Sequence, residues 1–159
     1  MLQLIPAPLH RLLYRLADRM RRRWWRLRKP RRRSVLIVAF DEAERVLLVR
    51  HSYGPPVWAL PGGSMSESED PALAAAREFR EELDCELADL IELEAREHDE
   101  GGSRDVRHVF SASLSGVPVP DRREIVAAQT IDRAALPVPC DRRVRPAMEA
   151  ALAVRSQQR

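Results

Sequence analysis

From Trp58 to Cys85 the chain reads WALPGGSMSESEDPALAAAREFREELDC, a proline and two glycines followed by a helix-forming stretch crowded with carboxylates. On a helix, residues three and four apart are neighbours, so Glu78, Glu81 and Glu82 run along one side with Arg77 beside them. Three crowded anions repel, and a helix tolerates them more readily with a cation among them. A hard ion such as Mg²⁺ takes one or two carboxylates plus substrate phosphates and keeps part of its water. A lone Glu-Glu pair on a helix is ordinarily a solvated face, but here seven positions recur at fixed spacing between a glycine turn and a helix.

Gly63, five residues, Glu69, seven residues, then Arg77-Glu78-Phe79-Arg80-Glu81-Glu82 resembles the signature of the Nudix hydrolases. Asp84 stands where that family has glycine, and Cys85 occupies the final apolar position. The replaced glycine would sit just past the helix end in a left-handed conformation, which Asp adopts more readily than most residues.

The net charge of +3 hides a division: residues 1 to 33 hold twelve basic side chains against one acid, and the remainder fifteen against twenty-three. The arm is therefore about +11 and the body about −8. Within the arm, Leu9, Leu12, Leu13, Leu16, Met20, Trp24 and Leu27 recur at helical spacing opposite Arg11, Arg15, Arg19, Arg22 and Arg26. Arginines interrupt every apolar run, so neither a secretory signal nor a membrane span is expected. Three roles are open for this basic amphipathic helix: packing on the domain or on a second copy in a homodimer, attachment to an anionic membrane surface, or, less favoured, contact with nucleic acid. Pro30 and Arg31 to Arg33 read as a linker. Two cysteines, Cys85 and Cys140, without CxxC pairing suggest a reduced, cytoplasmic setting, peripheral to the inner membrane surface if the arm binds lipid.

Ser34 to Phe40 is a β-branched apolar run that reads as a buried strand, and Arg45 to His51 as its hairpin partner. Gly54, Pro55 and Pro56 force a loop. His51 has no His or Cys neighbour in sequence, and its structural reading outweighs a functional one. Ser66, Glu67, Ser68 and Glu69 offer caps to a helix starting at Pro71, with Ala72, Ala76, Phe79 and Leu83 as its inward face. Leu87 to Arg96 and Asp105 to Ser113 read as strands around a polar loop from Glu97 to Arg104. After a Pro118/Pro120 turn comes Glu124-Ile125, then a strand to Ile131. A closing helix spans Arg142 to about Arg155, begun late or interrupted at Pro146.

The resemblance implies an α/β fold, the Nudix α/β/α sandwich with a mixed central sheet, over residues 33–155, preceded by the arm (1–32) and followed by a short tail (156–159). It implies a divalent-metal-dependent hydrolase of a pyrophosphate linkage in a nucleoside diphosphate derivative. Metal binding falls to Glu78, Glu81 and Glu82, with Mg²⁺ or Mn²⁺ as the ion. Orientation falls to Arg77 and Glu69, shaping of the metal loop to Gly62 and Gly63, and a base role to Glu81 or Glu124. The competing reading is a non-catalytic nucleotide- or RNA-binding module of the same fold. Retention of every carboxylate argues against it, because a metal-free cluster of anions is destabilising without return.

Overall fold

In the run Val35 to Phe40 every side chain is buried, and alternate residues feed two different cores. Val35, Ile37 and Ala39 join Leu47, Val49, Phe79, Leu83 and Phe110 on one face. Leu36, Val38 and Phe40 join Val46, Leu48, Val144 and Met148 on the other. A strand covered on both faces has no use for alternating polarity, which is why it reads as an unbroken apolar run. In this computed structural model, residues 32–100 and 103–157 are described, together with Leu13, Leu16, Ala17 and Met20.

The elements follow as β1 (Arg32–Phe40), β2 (Val46–His51), β3 (Ser64–Met65), α1 (Pro71–Leu83), β4 (Leu87–Glu100), β5 (Ser103–Leu114), β6 (Ile125–Ile131) and α2 (Val144–Gln157). The sheet order is β4-β5-β1-β2-β6, with β3 beside the start of β1. β1 runs parallel to β5 while β2–β6 and β4–β5 are antiparallel, giving the mixed sheet between two helices that was expected. Four details differ from the sequence reading. The β1–β2 hairpin pairs only at Phe40↔Val46, and beyond that point the strands diverge. The segment Ala59 to Met65 fills the gap: Ala59 exchanges two backbone hydrogen bonds with Val49, and the N–H groups of Ile37 and Val35 donate to Pro61 O and Gly63 O at 3.0 and 2.9 Å. Arg32 and Arg33, expected in a linker, belong to β1 and pair with Asp105 and Val106. The expected loop from Glu97 to Arg104 is mostly ladder, since pairing continues to Glu100↔Ser103. Backbone pairing needs no apolar side chain, so a polar stretch can still be strand. Finally, α2 begins at Val144 and places Pro146 in its first turn, where the missing N–H leaves no bond broken.

α1 is capped by Asp70 and not by the residues before it: Asp70 Oδ1 accepts from the Ala72 and Leu73 N–H groups at 2.9 and 3.1 Å. Its buried face is Ala74, Ala75, Phe79 and Leu83, with Ala72 and Ala76 only half-buried. Of the arm's apolar stripe, Leu13, Leu16 and Met20 are helical and exposed; its other positions lie outside the described residues. No described helix is long and apolar enough to cross a membrane.

Asp84 takes the left-handed conformation (φ 46°, ψ 42°) and donates its N–H to Arg80 O at 2.9 Å. A Cβ is the penalty there, so Asp84→Gly should stabilise the fold by about 0.5 to 1 kcal/mol and leave turnover unchanged. Chemical denaturation beside initial rates checks this; a large fall in rate with normal folding would show that Asp84 has a site role.

Candidate active site

The segment wedged between β1 and β2 carries Gly62 and Gly63, and α1 packs its acidic side against it. A Cβ on Gly63 would lie 2.2 Å from Glu78 Oε2, so the carboxylate rests directly on the turn. Gly62 has φ +147°, and a Cβ there would meet Val35 O at 2.2 Å. One glycine makes room for a side chain, the other for the backbone of β1.

Arg77 gathers the acidic groups. Its Nε and Nη2 donate to the two oxygens of Glu69 at 2.8 and 3.1 Å, and its Nη1 donates to Glu78 Oε1 at 2.9 Å and Glu81 Oε2 at 3.4 Å. Glu69, which folds back over eight residues to meet it, also accepts the Ser66 N–H at 3.0 Å. The Arg77 guanidinium, with help from that N–H, holds the Glu69 carboxyl below its ordinary range. Arg33 fastens the same loop from β1, its Nη1 donating to Glu67 O at 2.6 Å and Glu69 O at 3.2 Å.

Glu82 is set apart. It is 4% exposed, although it lies between exposed Glu81 and the core residue Leu83. Its Oε2 is buried without a hydrogen-bond partner. Burial pushes this carboxyl well above the ordinary range; repulsion from Glu124 and Glu78 adds to that, and a hydrogen bond from the Gly62 backbone only partly offsets it. Burial likewise raises Glu78, against the pull of Arg77.

Glu124 is brought in by its own scaffold. The last carbonyls of α1 accept from the next segment, Leu83 O from Val119 N at 2.6 Å and Glu82 O from Asp121 N at 2.9 Å. The Asp121 carboxylate then accepts the N–H groups of Arg123, Glu124 and Ile125. Ser52 N donates to Glu124 O at 2.8 Å, and the Tyr53 hydroxyl donates to Glu124 Oε1. The β2–β6 register shifts between Arg50 and His51, with Val126 as the extra residue in β6, so that His51 pairs with Ile125 beside Glu124. One ligand atom each from His51, Glu82 and Glu124 falls within 4.8 Å of the others. Burial, with a contribution from Arg143, lowers the His51 pKa against the opposing pull of Asp121 and Asp141.

Of the residues singled out in the sequence, Gly62, Gly63, Glu69, Arg77, Glu78 and Glu82 converge at the turn, Glu124 joins them from β6's approach, and Glu81 lies at the exposed rim. His51 and Tyr53 were not read as part of this group, because the residues they meet lie far along the chain and the β2–β6 register sets His51 beside Ile125. The donor set fits a divalent cation: clustered carboxylates with raised pKa values and a buried unsatisfied oxygen are what such an ion compensates. Beside the turn lies a cavity of about 210 Å³ whose walls include Arg32, Arg33, Arg107, Arg143 and Tyr53. Asp105, 1% exposed, accepts from Arg107 Nη2 at 2.9 Å and Ser34 Oγ at 2.8 Å.

The chain belongs to the NUDIX domain family, whose model matches residues 30–151. It is 44% identical over 52 residues to the CMP-5'-(N-acetyl-N-hydroxy-3-aminopropyl)phosphonate hydrolase of Streptomyces rubellomurinus, covering 31% of this chain and 25% of that protein. It is 44% identical over 54 residues to the ADP-ribose pyrophosphatase of Mycobacterium tuberculosis, covering 31% of this chain and 26% of the relative. These matches thus span about a quarter of the curated relatives' length. The crystal structure of the MutT NUDIX hydrolase from Burkholderia pseudomallei superposes with a TM-score of 0.67 at 27% identity, over 76% of this chain and 97% of that one.

Two outcomes are expected. Gly62→Ala should destabilise the protein by about 1 to 3 kcal/mol, since backbone must move. Gly63→Ala should fold nearly normally but weaken Mn²⁺ binding by roughly 10-fold or more, because only the end of Glu78 is displaced. Denaturation and calorimetric metal titration separate the two; equal stability losses would refute the assignment. The second concerns pH. A carboxyl raised in the folded state binds its proton more tightly there than when unfolded, so metal-free protein loses stability as pH rises from the ordinary value of 4.5 through the folded one, and levels off above it. Thermal melts with chelator from about pH 5 to about pH 8 should fall for the parent and be flatter for Glu82→Gln; parallel curves would contradict the burial argument.

Proposed function

We propose that this chain hydrolyses a pyrophosphate linkage in a nucleoside diphosphate derivative, using Mg²⁺ or Mn²⁺ held by Glu78, Glu81 and Glu82. The observation that carries the reading is Glu82: a buried carboxylate with an unsatisfied oxygen, placed between two further carboxylates beside an arginine-lined cleft. A divalent ion in such a site supplies charge neutralisation at phosphate oxygens and a more acidic bound water.

The remaining work falls to the chain itself. Gly62 and Gly63 leave the turn bare, so that a diphosphate can approach the acidic helix closely. Arg77 orients Glu69, Glu78 and Glu81 by charge-assisted hydrogen bonds. The arginines of the cleft attract and position an anionic substrate, with Tyr53 at the wall between cleft and carboxylates. Water attacks one phosphorus, the bridging P–O bond breaks, and the water's proton passes to a carboxylate. Glu81 suits that role: it is exposed and accepts a 3.4 Å bond from Arg77, whereas Glu124 already accepts from Tyr53. The names of the two curated relatives, one a hydrolase of a CMP derivative and one a pyrophosphatase of ADP-ribose, support a nucleotide-type substrate.

Glu82→Gln keeps the shape and removes the charge. Across a panel of nucleoside diphosphate derivatives with Mg²⁺ or Mn²⁺, product separation by chromatography should show turnover lowered by at least ~10²-fold in a folded variant. Hydrolysis at the parent rate would sink the metal assignment.

A further inference from the structure

We propose that His51 is a nitrogen ligand to an ion held jointly with Glu82 and Glu124, and that this position prefers ions of the Mn²⁺ to Zn²⁺ series over Mg²⁺. This rests on the metal-dependent reading above and concerns a ligand from outside the acidic helix.

The geometry is specific. One donor atom from each of the three side chains lies within 4.8 Å of the others. Donors about 2.0 to 2.2 Å from a shared ion sit no more than about 4.4 Å apart, so a shift of a few tenths of an ångström closes the set. Two buried polar atoms here lack a hydrogen-bond partner, Glu82 Oε2 and His51 Nδ1. Unsatisfied donors and acceptors are rare inside proteins, and two of them on adjacent members of one cluster share an explanation if an ion lies between. The surroundings hold the set in place. His51 follows Leu47 and Val49 on the side of β2 that α1 covers, the extra Val126 in β6 pairs it with Ile125 next to Glu124, and Ser52 N fixes the Glu124 backbone at 2.8 Å. The Tyr53 hydroxyl engages Glu124 Oε1, which leaves the other oxygen of that carboxylate for an ion and orients it, as partners of metal ligands do. An imidazole in the donor set changes which ion fits. Mg²⁺ favours an octahedron of oxygens and gives up water reluctantly, whereas nitrogen ligands suit the later first-row ions, whose affinities rise along the series.

The test uses the full chain without an affinity tag and without substrate. Pulsed EPR on the Mn²⁺-loaded protein should show coupling to a directly bound ¹⁴N, converted to a ¹⁵N pattern by labelling with ¹⁵N-histidine and lost in His51→Gln. In the same variant Co²⁺ affinity should fall at least ~10-fold while Mg²⁺ affinity changes less than ~3-fold. A parent protein without nitrogen coupling overturns the proposal, as does coupling that survives His51→Gln. If that variant does not fold, single Gln variants at His10, His98 and His108 decide: coupling retained in all three supports His51, and its loss in any one refutes it. Because none of these readouts needs turnover, an inactive chain with a nitrogen-ligated ion would defeat the pyrophosphatase reading alone, and an active chain without one would defeat only this proposal.

Discussion

The site depends on backbone hydrogen bonds between β1 and the segment that contains the glycine turn. A plain hairpin would have given that edge of β1 to β2. Instead the N–H groups of Val35 and Ile37 bond to Gly63 and Pro61, and Val49 pairs with Ala59 on the opposite side. The turn is thereby built into the central sheet as if it were a strand. Loops drift and sheets do not, so the bare backbone facing Glu78 inherits the rigidity of the core.

Against that fixed edge, α1 does two incompatible things. Phe79 and Leu83 bury themselves between sheet and helix, while Glu82, adjacent to Leu83, is carried into the same low-dielectric region with its charge uncompensated. Ala74, Ala75, Phe79 and Leu83, all buried on the same helix, hold it against the sheet despite that cost. Arg77 limits the damage for Glu78 and Glu69, whereas Glu82 Oε2 is left without a partner. The helix is stable enough to hold an arrangement that is locally unfavourable, which is the usual relation between a scaffold and a reactive site.

Much of this could be read from the chain alone, and the limits have physical causes. The spacing from Gly63 to Glu82 located the acidic helix and its arginine, and the family resemblance its left-handed end at Asp84, because each is set by contacts within about 20 residues. The apolar run at β1 announced a strand covered on both faces. What could not be read was pairing across the sheet. His51 reaches Glu124 through strand register and a bulge, and the divergence of β1 from β2 is imposed by a segment that arrives later in sequence. Arg32, Arg33, Arg107 and Arg143 line one cleft only because β1 and β5 are parallel neighbours and the approach to α2 closes over them. Asp70 was overlooked as a cap beside four equally plausible polar residues.

The peptide from Ser115 to Glu124 joins β5 to β6 and is bonded at both ends of its path, with Glu86 O accepting the Ser115 N–H at 3.1 Å and Leu83 and Glu82 accepting those of Val119 and Asp121. Its contour length works as a ruler between the last turn of α1 and Glu124. Adding or deleting one residue there would change the separation of two carboxylates on different elements without touching either. Variation in chain length between relatives should therefore be nearly absent from this ten-residue connection.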